Sequence, residues 1–416
     1  MLSHRTPTLT YPAARLLLVA VCLVLSAACG SRELQADRQA LAAAPPELLS
    51  KLRADPYNYF RFVNHEWTSR VCEVFARDLA TQPTVQLHGD AHLEQYAFTN
   101  SAWGLDDFDD STRGPALVDI IRFMGSIDLT VRRRGWTPER ESLFDRFIAG
   151  YRQGLSDPLH QPPRPRILDR LQLQHATPTN LAFLAWAETQ MEPLSETETK
   201  GLASAMVVFA HTVQQERRDL PDAYFRIVRG GWLHMGIGSA NNKKVLIRVD
   251  GPSARPEDDV VLEAKAIRAL ADVRCLEVPR ARPTFRVITG NQQLGRLKHD
   301  ILIEGPEVPI PELTGEGPNL GDWWIRSWEP SYREVALDDF GSVEELSAIV
   351  YDAGSQLGAG SVHLPGRAVD AALQQQALAA LGTLERRVRH EAVTLVEQML
   401  RGWEQLTAAQ GLTRTK

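Results

Sequence analysis

The stretch LHGDAHLEQYAF (residues 87–98), followed at 105–113 by LDDFDDSTR, decides how this chain reads. Two histidines, a glutamine and clustered aspartates stand close together between apolar segments. TVQLHGD (84–90) reads as a short strand of β-branched and apolar residues entering a polar turn, with Gly89 marking a bend. Ionisable groups gathered in this way can hold a metal, hold a phosphate through a metal, or simply solvate a turn. The last is the usual fate of a short acidic run taken alone.

The chemistry of the residue types narrows the choice. Mg2+ takes hard oxygen ligands and is commonly bound through one or two carboxylates together with substrate phosphates. A catalytic aspartate on a turn, a metal-binding amide a few residues on and a second aspartate after a short hairpin are the parts of a phosphoryl-transfer site. Asp90 fits the base and Asp107 the metal ligand. A competing reading takes His88, Asp90 and His92 as ligands of a metal-dependent hydrolase, since His-x3-His with carboxylates nearby can bind Zn2+. A third histidine, His234 or His299, must then arrive through the fold.

Working outward, apolar residues recur at helical spacing in YNYFRFVNHEWTSRVCEVFARDLA (57–80), ALVDIIRFMGSIDLTVRRRG (116–135) and RESLFDRFIAGYRQGL (140–155), and again from about 179 to 217. HQPPRPR (160–166) is a proline-rich connector. Near residue 223 the period changes: YFRIVRGGWLHMGIGSANNKKVLIRVDG (224–251) alternates apolar and polar residues and predicts a glycine-punctuated antiparallel sheet. DVVLEAKAIRAL (259–270) reads as a strand passing into a helix. TFRVITGNQQLGRLKHDILIEG (284–305) and GDWWIRSWE (321–329) are further strand candidates, and 342–411 is helical. The tryptophans at 323, 324 and 328 read as core or as an interface between parts of the fold. VRRRG (131–135) reads as a solvated helix end.

The span 86–126, QLHGDAHLEQYAFTNSAWGLDDFDDSTRGPALVDIIRFMGS, resembles the bacterial domain of unknown function 2252 family, whose pattern runs G-D-x-H-x-x-N-F-G, then N-D-F-D-E-T, G-P and W-D-x-x-R-L. IGSANNKKVLIRV (237–249), VVLEAKAI (260–267), RVITGNQQLGRLKHDILI (286–303) and WWIRSW (323–328) support the likeness. That family is grouped with protein-kinase-like and aminoglycoside-phosphotransferase-like folds. The resemblance implies a two-lobed, kinase-like α/β (α+β) fold with a helical lobe and a smaller antiparallel β-rich lobe. It implies Mg2+ and ATP as cofactors, Asp90 and His88 in the catalytic loop, and Asp107, Gln95 and Asp109 at the metal. Gly236, Gly238 and Ser239 would form the turn over the nucleotide, and Lys265 would orient phosphate. Asp119 would brace the catalytic loop, with Arg122 behind it. Because the lysine strand follows the catalytic segment, the fold is expected to be circularly permuted, with the C-terminal helices packing back beside the first motif. Gln95 stands where the family has Asn, so either a longer amide still reaches the metal or that ligand is lost. Ala266 and Tyr332 also depart from the pattern, which leaves an envelope binding protein without turnover as an alternative.

Arg5 and Arg15 precede the apolar run LLLVAVCLVLSAAC (16–29), which has the charged start, apolar centre and small-residue end of a secretory signal. Ending in Ser26-Ala27-Ala28-Cys29, it resembles a lipoprotein signal with Cys29 as the lipidated residue. The expected division is a signal at 1–29, a linker at 30–54, a helical lobe at 55–220, a β-rich segment at 221–335 and C-terminal helices at 336–416. The protein is then exported and held at a membrane, facing the periplasm or the exterior. The chain has 416 residues, 44% hydrophobic and 24% charged, with a formal charge of -6. Lysines and arginines are scattered, which argues against nucleic acid as a partner. Cys72 and Cys275 either bridge or stay reduced. The acceptor substrate is not legible.

Overall fold

A computed structural model describes residues 33–408 except 222, 234–242, 254, 268–269, 271–272, 279–282 and 305–322. The segment expected to be a linker carries two short helices, α1 (Arg38–Ala43) and α2 (Pro46–Ala54). Asp37 caps the first by accepting from the Gln39 and Ala40 N–H groups, and Leu48 and Leu52 of the second are buried. Next come α3 (Pro56–Phe62), capped by Asp55, and α4 (Asn64–Val74). The short strands β1 (Thr84–Leu87), β2 (Tyr96–Phe98), β3 (Trp103–Leu105) and β4 (Thr112–Pro115) then carry both halves of the opening motif. β1 pairs antiparallel with β4, and β2 with β3, so the turn at 88–90 and the loop at 106–111 lie side by side.

α5 (Leu117–Arg134) is buried along every residue from Leu117 to Val131. A helix buried on all its faces is the centre of a body, and its polar side chains must find internal partners. α6 (Arg140–Ser156) follows, then α7 (Arg166–Gln174) after the proline-rich connector. α8 (Asn180–Thr189), β5 (Glu192–Pro193) and α9 (Glu196–Glu216) lead into β6 (Ile227–Trp232), β7 (Lys244–Val249) and β8 (Val260–Ala266). The remaining elements are α10 (Pro283–Leu294), β9 (Leu302–Glu304), β10 (Trp323–Ser327), β11 (Arg333–Glu334), α11 (Val343–Val362) and α12 (Ala371–Ala408). The result is a mixed α/β fold dominated by helices, with antiparallel sheets.

The six-stranded sheet has the order β5-β6-β7-β8-β10-β9, antiparallel throughout. Strand alternation sorts its side chains. Val245, Ile247 and Val249 of β7, Leu262 and Ala264 of β8 and Trp323 and Ile325 of β10 pack with Phe209 and Val213 of α9. On the opposite face Leu246 and Val261 meet Phe183, Leu184 and Ala187 of α8. Packing therefore attaches α8 and α9 to the sheet, so the helical body does not extend to residue 220 as the change of period had suggested.

The main core gathers α3 to α6, α11 and α12 around Phe60, Trp67, Phe123, Phe147, Leu357 and Val396. α6 and α11 approach backbone to backbone: a Cβ on Gly150 or Gly154 would stand 2.1 Å from the carbonyl oxygen of Tyr351 or Ser355.

One expectation is overturned within 284–305. Pro283–Leu294 is a helix, and only Leu302–Glu304 is a strand. Thr284, Val287, Ile288 and Leu294 are buried at helical spacing, Val287 and Leu294 within the main core, so packing overrides the strand preference of the β-branched residues. The helix expected after β8 falls partly on residues outside those described. Cys72 of α4 and Cys275, left open by the sequence, form a disulfide.

Candidate functional site

The turn at 88–90 exists because Gly89 takes φ +86°, and a Cβ there would lie 1.9 Å from the Asp110 carbonyl oxygen. Asp119, projecting from buried α5, braces this turn: its carboxylate accepts from the His88 N–H at 2.7 Å and the Gly89 N–H at 2.9 Å. His88 lies 2.9 Å through Nε2 from the Asp106 carbonyl and 3.3 Å through Nδ1 from the Asp90 N–H. A carbonyl only accepts and an N–H only donates, so the ring is the neutral Nε2–H tautomer. Both nitrogens are thus spent on backbone. His88 pins the turn to the acidic loop and has neither nitrogen left for a substrate proton or a metal.

Asp90 reaches the cleft. Its Oδ1 takes Arg122 Nε at 2.9 Å and Nη2 at 2.8 Å, and Arg122 is itself buried over the Phe60 ring. Burial works against the charge of Asp90, yet Arg122 and then His92 hold its carboxyl well below the ordinary range. Asp90 is therefore an anion suited to orienting a hydroxyl, and a weak base.

Asp107 takes φ 62°, one of two described non-glycine residues in that region. This conformation turns its carboxylate toward the six-stranded sheet, where Lys265 Nζ meets Asp107 Oδ1 at 3.0 Å and Asp109 Oδ2 at 3.1 Å. Lys265 is buried but, against that, the two aspartates raise its pKa well above the usual lysine value. Asp107 is depressed, since Lys265 outweighs its burial. Asp109 is pushed up to about 6 by burial and by the charge of Asp107. Arg286 of α10 holds the loop from behind, donating to the carbonyls of Asp109 and Ser111.

Strand register explains what else faces this loop. Lys244 lies directly across from Lys265, Trp324 flanks it, and Arg326 stands opposite Glu263 on the same face of the sheet. Two lysines opposite one another repel, and burial and Lys265 both lower the pKa of Lys244. Such a pair is favourable only beside anions. Arg326 joins Glu263 at 2.8 Å to Asp106 at 3.1 Å, and Trp328 Nε1 donates to Glu263 at 3.0 Å. Sequence reading missed Lys244, Glu263 and Arg326; period-2 alternation from Lys265 would have put Glu263 on its face, while Lys244 and Arg326 come there through strand register. It missed Arg286 because its helix was read as a strand.

These groups line one cleft of about 720 Å³, a size suited to a small-molecule ligand. Asp90, Gln95, Asp107, Asp109, Lys244 and Lys265 form its charged end, and Phe183, Trp186, Leu233 and Trp328 an aromatic and apolar part. Trp328 thus lines the cleft and stacks on Trp186 with centroids 5.9 Å apart, while Trp323 and Trp324 are core. Gln95 is brought to the charged end, and among the described residues its side-chain amide has no hydrogen-bond partner. Gly236, Gly238, Ser239, His234 and Cys29 lie outside the described residues. His299 packs 3.7 Å from Asp106.

The donors at the charged end fit Mg2+-phosphate. Asp107, Asp109 and Gln95 offer oxygen, and Asp109 Oδ1 is buried with no hydrogen-bond partner among the described residues. No group of three or more His, Cys, Asp or Glu is placed to hold a metal among the described residues. A cation here would draw its remaining ligands from phosphate and water, as Mg2+ commonly does.

Residues 42–187 match the family model described as an uncharacterized protein conserved in bacteria (DUF2252). The match contains Asp90, Gln95, Asp107, Asp109, Asp119 and Arg122, stops before the strand of Lys265, and supports the family that the motifs suggested. Searches of curated proteins and of solved structures return no match.

Proposed function

We propose that this chain is an exported, kinase-like phosphotransferase that binds a Mg-nucleoside triphosphate in the cleft and passes a phosphoryl group to an acceptor hydroxyl. The observation that carries the reading is the meeting of Lys265 with Asp107 and Asp109, placed 158 and 156 residues away in sequence, beside Asp90. Asp107 and Asp109, with Gln95 in reach, would hold the Mg2+, which supplies charge neutralisation at the transferring phosphate. Lys265 leaves its aspartate partners to bind phosphate oxygens, and Lys244 adds a second positive charge opposite it. Asp90 accepts a hydrogen bond from the acceptor hydroxyl, aims it, and takes its proton as the new O–P bond forms and the nucleoside diphosphate leaves; Arg122 keeps Asp90 ionised before transfer. The rest of catalysis is positioning and charge stabilisation.

A sheet bearing the lysine that faces a helical body bearing the aspartates supports the two-lobed, permuted reading of the fold. The Cys72–Cys275 disulfide supports an oxidising compartment, in line with the signal read at 16–29. No helix among the described residues is long and apolar enough to cross a membrane. A binding protein without turnover is the second reading, favoured by Gln95 in place of the family's Asn. Calorimetric titration with Mg-ATP, followed by a product assay, separates the two: binding with transfer supports the first, and binding without it the second.

A further inference from the structure

His92 is completely buried, and among the described residues neither of its ring nitrogens has a hydrogen-bond partner. A buried imidazole left unsatisfied calls for an explanation, because an unpaired polar group in the interior is destabilising. Tyr57 and Phe60 meet the ring at centroid distances of 5.9 and 6.4 Å, each in an edge arrangement, so the pocket would suit a phenyl ring equally well. What distinguishes histidine there is its Nε2, which lies 3.6 Å from Asp90 Oδ2.

Arg122 leaves a specific task undone. Both its contacts, from Nε and from Nη2, fall on Asp90 Oδ1, which fixes one oxygen and lets the carboxylate plane turn about it. A donor on Oδ2 removes that freedom. A carboxylate facing Nε2 selects the tautomer that carries hydrogen there. Burial, the largest influence on the ring, pushes His92 down to about 4 against the pull of Asp90, so it serves as a neutral donor.

We infer that His92 is a positioning residue for the phosphoryl transfer proposed above: its Nε2–H closes on Asp90 Oδ2 and fixes the carboxylate plane with that oxygen toward the cleft. Arg122 supplies charge and His92 supplies angle. The inference rests on the phosphotransferase reading for its catalytic consequence, but the contact itself can be examined without turnover.

Two measurements on the full-length protein test it. Nitrogen NMR of the His92 ring at neutral pH should show the neutral Nε2–H tautomer, with a resonance that moves in Asp90→Asn. A ring protonated at Nδ1, or one unmoved by that substitution, overturns the inference whether or not the protein turns over. In the kinetic arm, His92→Phe keeps the aromatic packing and should leave KM for Mg-ATP within about twofold while lowering kcat about tenfold or more. His92→Gln, which restores a donor, should recover most of that loss. Equal kcat in the wild type and His92→Phe, or no rescue by glutamine, also overturns it. A wild type that performs no transfer removes the phosphotransferase reading instead, and the NMR result then decides the contact alone.

Discussion

Lys265 Nζ lies 3.0 Å from Asp107 Oδ1 and 3.1 Å from Asp109 Oδ2, so one lysine of the six-stranded sheet closes the acidic loop of the helical body. Replacing it should reveal how far this contact holds the fold. Lys265→Met leaves two carboxylates facing each other and should cost about 2–3 kcal/mol, below the full effect of breaking a buried pair because Asp107 is one-third exposed. Adding Asp109→Asn should restore much of the loss, which urea titration of the single and double variants will measure. A double variant no more stable than the single one would show that the lysine acts elsewhere.

Asp109 should give stability an unusual pH dependence. Its carboxyl is raised in the folded protein to about 6 from an ordinary value near 3.8. The folded state therefore binds the proton more tightly, which stabilises it below pH 4 and ceases to do so as pH rises through 6. Relative to Asp109→Asn, the wild type should lose about 1–3 kcal/mol between pH 4 and 6.5. Asp107, depressed by Lys265, acts in the opposite sense at lower pH. Denaturation midpoints of both proteins across this range provide the check, and parallel curves would rule out a raised Asp109.

Two glycines should respond in opposite directions. Gly89→Ala sets a Cβ against the Asp110 carbonyl in a left-handed backbone and should destabilise by about 2–4 kcal/mol, moving the turn that carries Asp90. Gly382 lies within α12 with nothing within 4 Å of an added Cβ, and Gly382→Ala should stabilise by about 0.5–1 kcal/mol. Thermal melts of the two variants make the comparison.

The disulfide closes a loop with a sequence separation of 203 residues. Cys275 stands just before the stretch where the Glu277 N–H donates to the Arg113 carbonyl and Thr112 Oγ1 to the Glu277 carbonyl, beside the acidic loop. Cys72→Ser with Cys275→Ser should lower stability by about 3–5 kcal/mol, and reducing agent should do the same to the wild type only. Guanidinium titration with and without reductant reads both.

The helices of the main core were legible because their apolar residues recur over three turns or more, as in 117–134. Asp90, Asp107 and Asp119 were legible as candidates because they fall within one short motif. Lys265 was placed through family likeness, and geometry adds the two aspartates that receive it. The segment at 283–294 misled because Thr, Val and Ile favour strands in isolation and only the core shows which faces are buried. His88 misled for a related reason: sequence shows an imidazole near an aspartate but not that both nitrogens are taken by backbone. Arg326 was invisible because its pairing with Glu263 depends on the register between β8 and β10, two strands far apart in sequence.

The most direct test is isothermal calorimetry of Mg-ATP against the wild type and Asp107→Ala. Saturable one-site binding by the wild type, weakened about tenfold or more in Asp107→Ala, is the predicted result. A wild type that binds no Mg-ATP, or an Asp107→Ala variant that binds it equally well, would contradict a Mg-nucleotide site in this cleft.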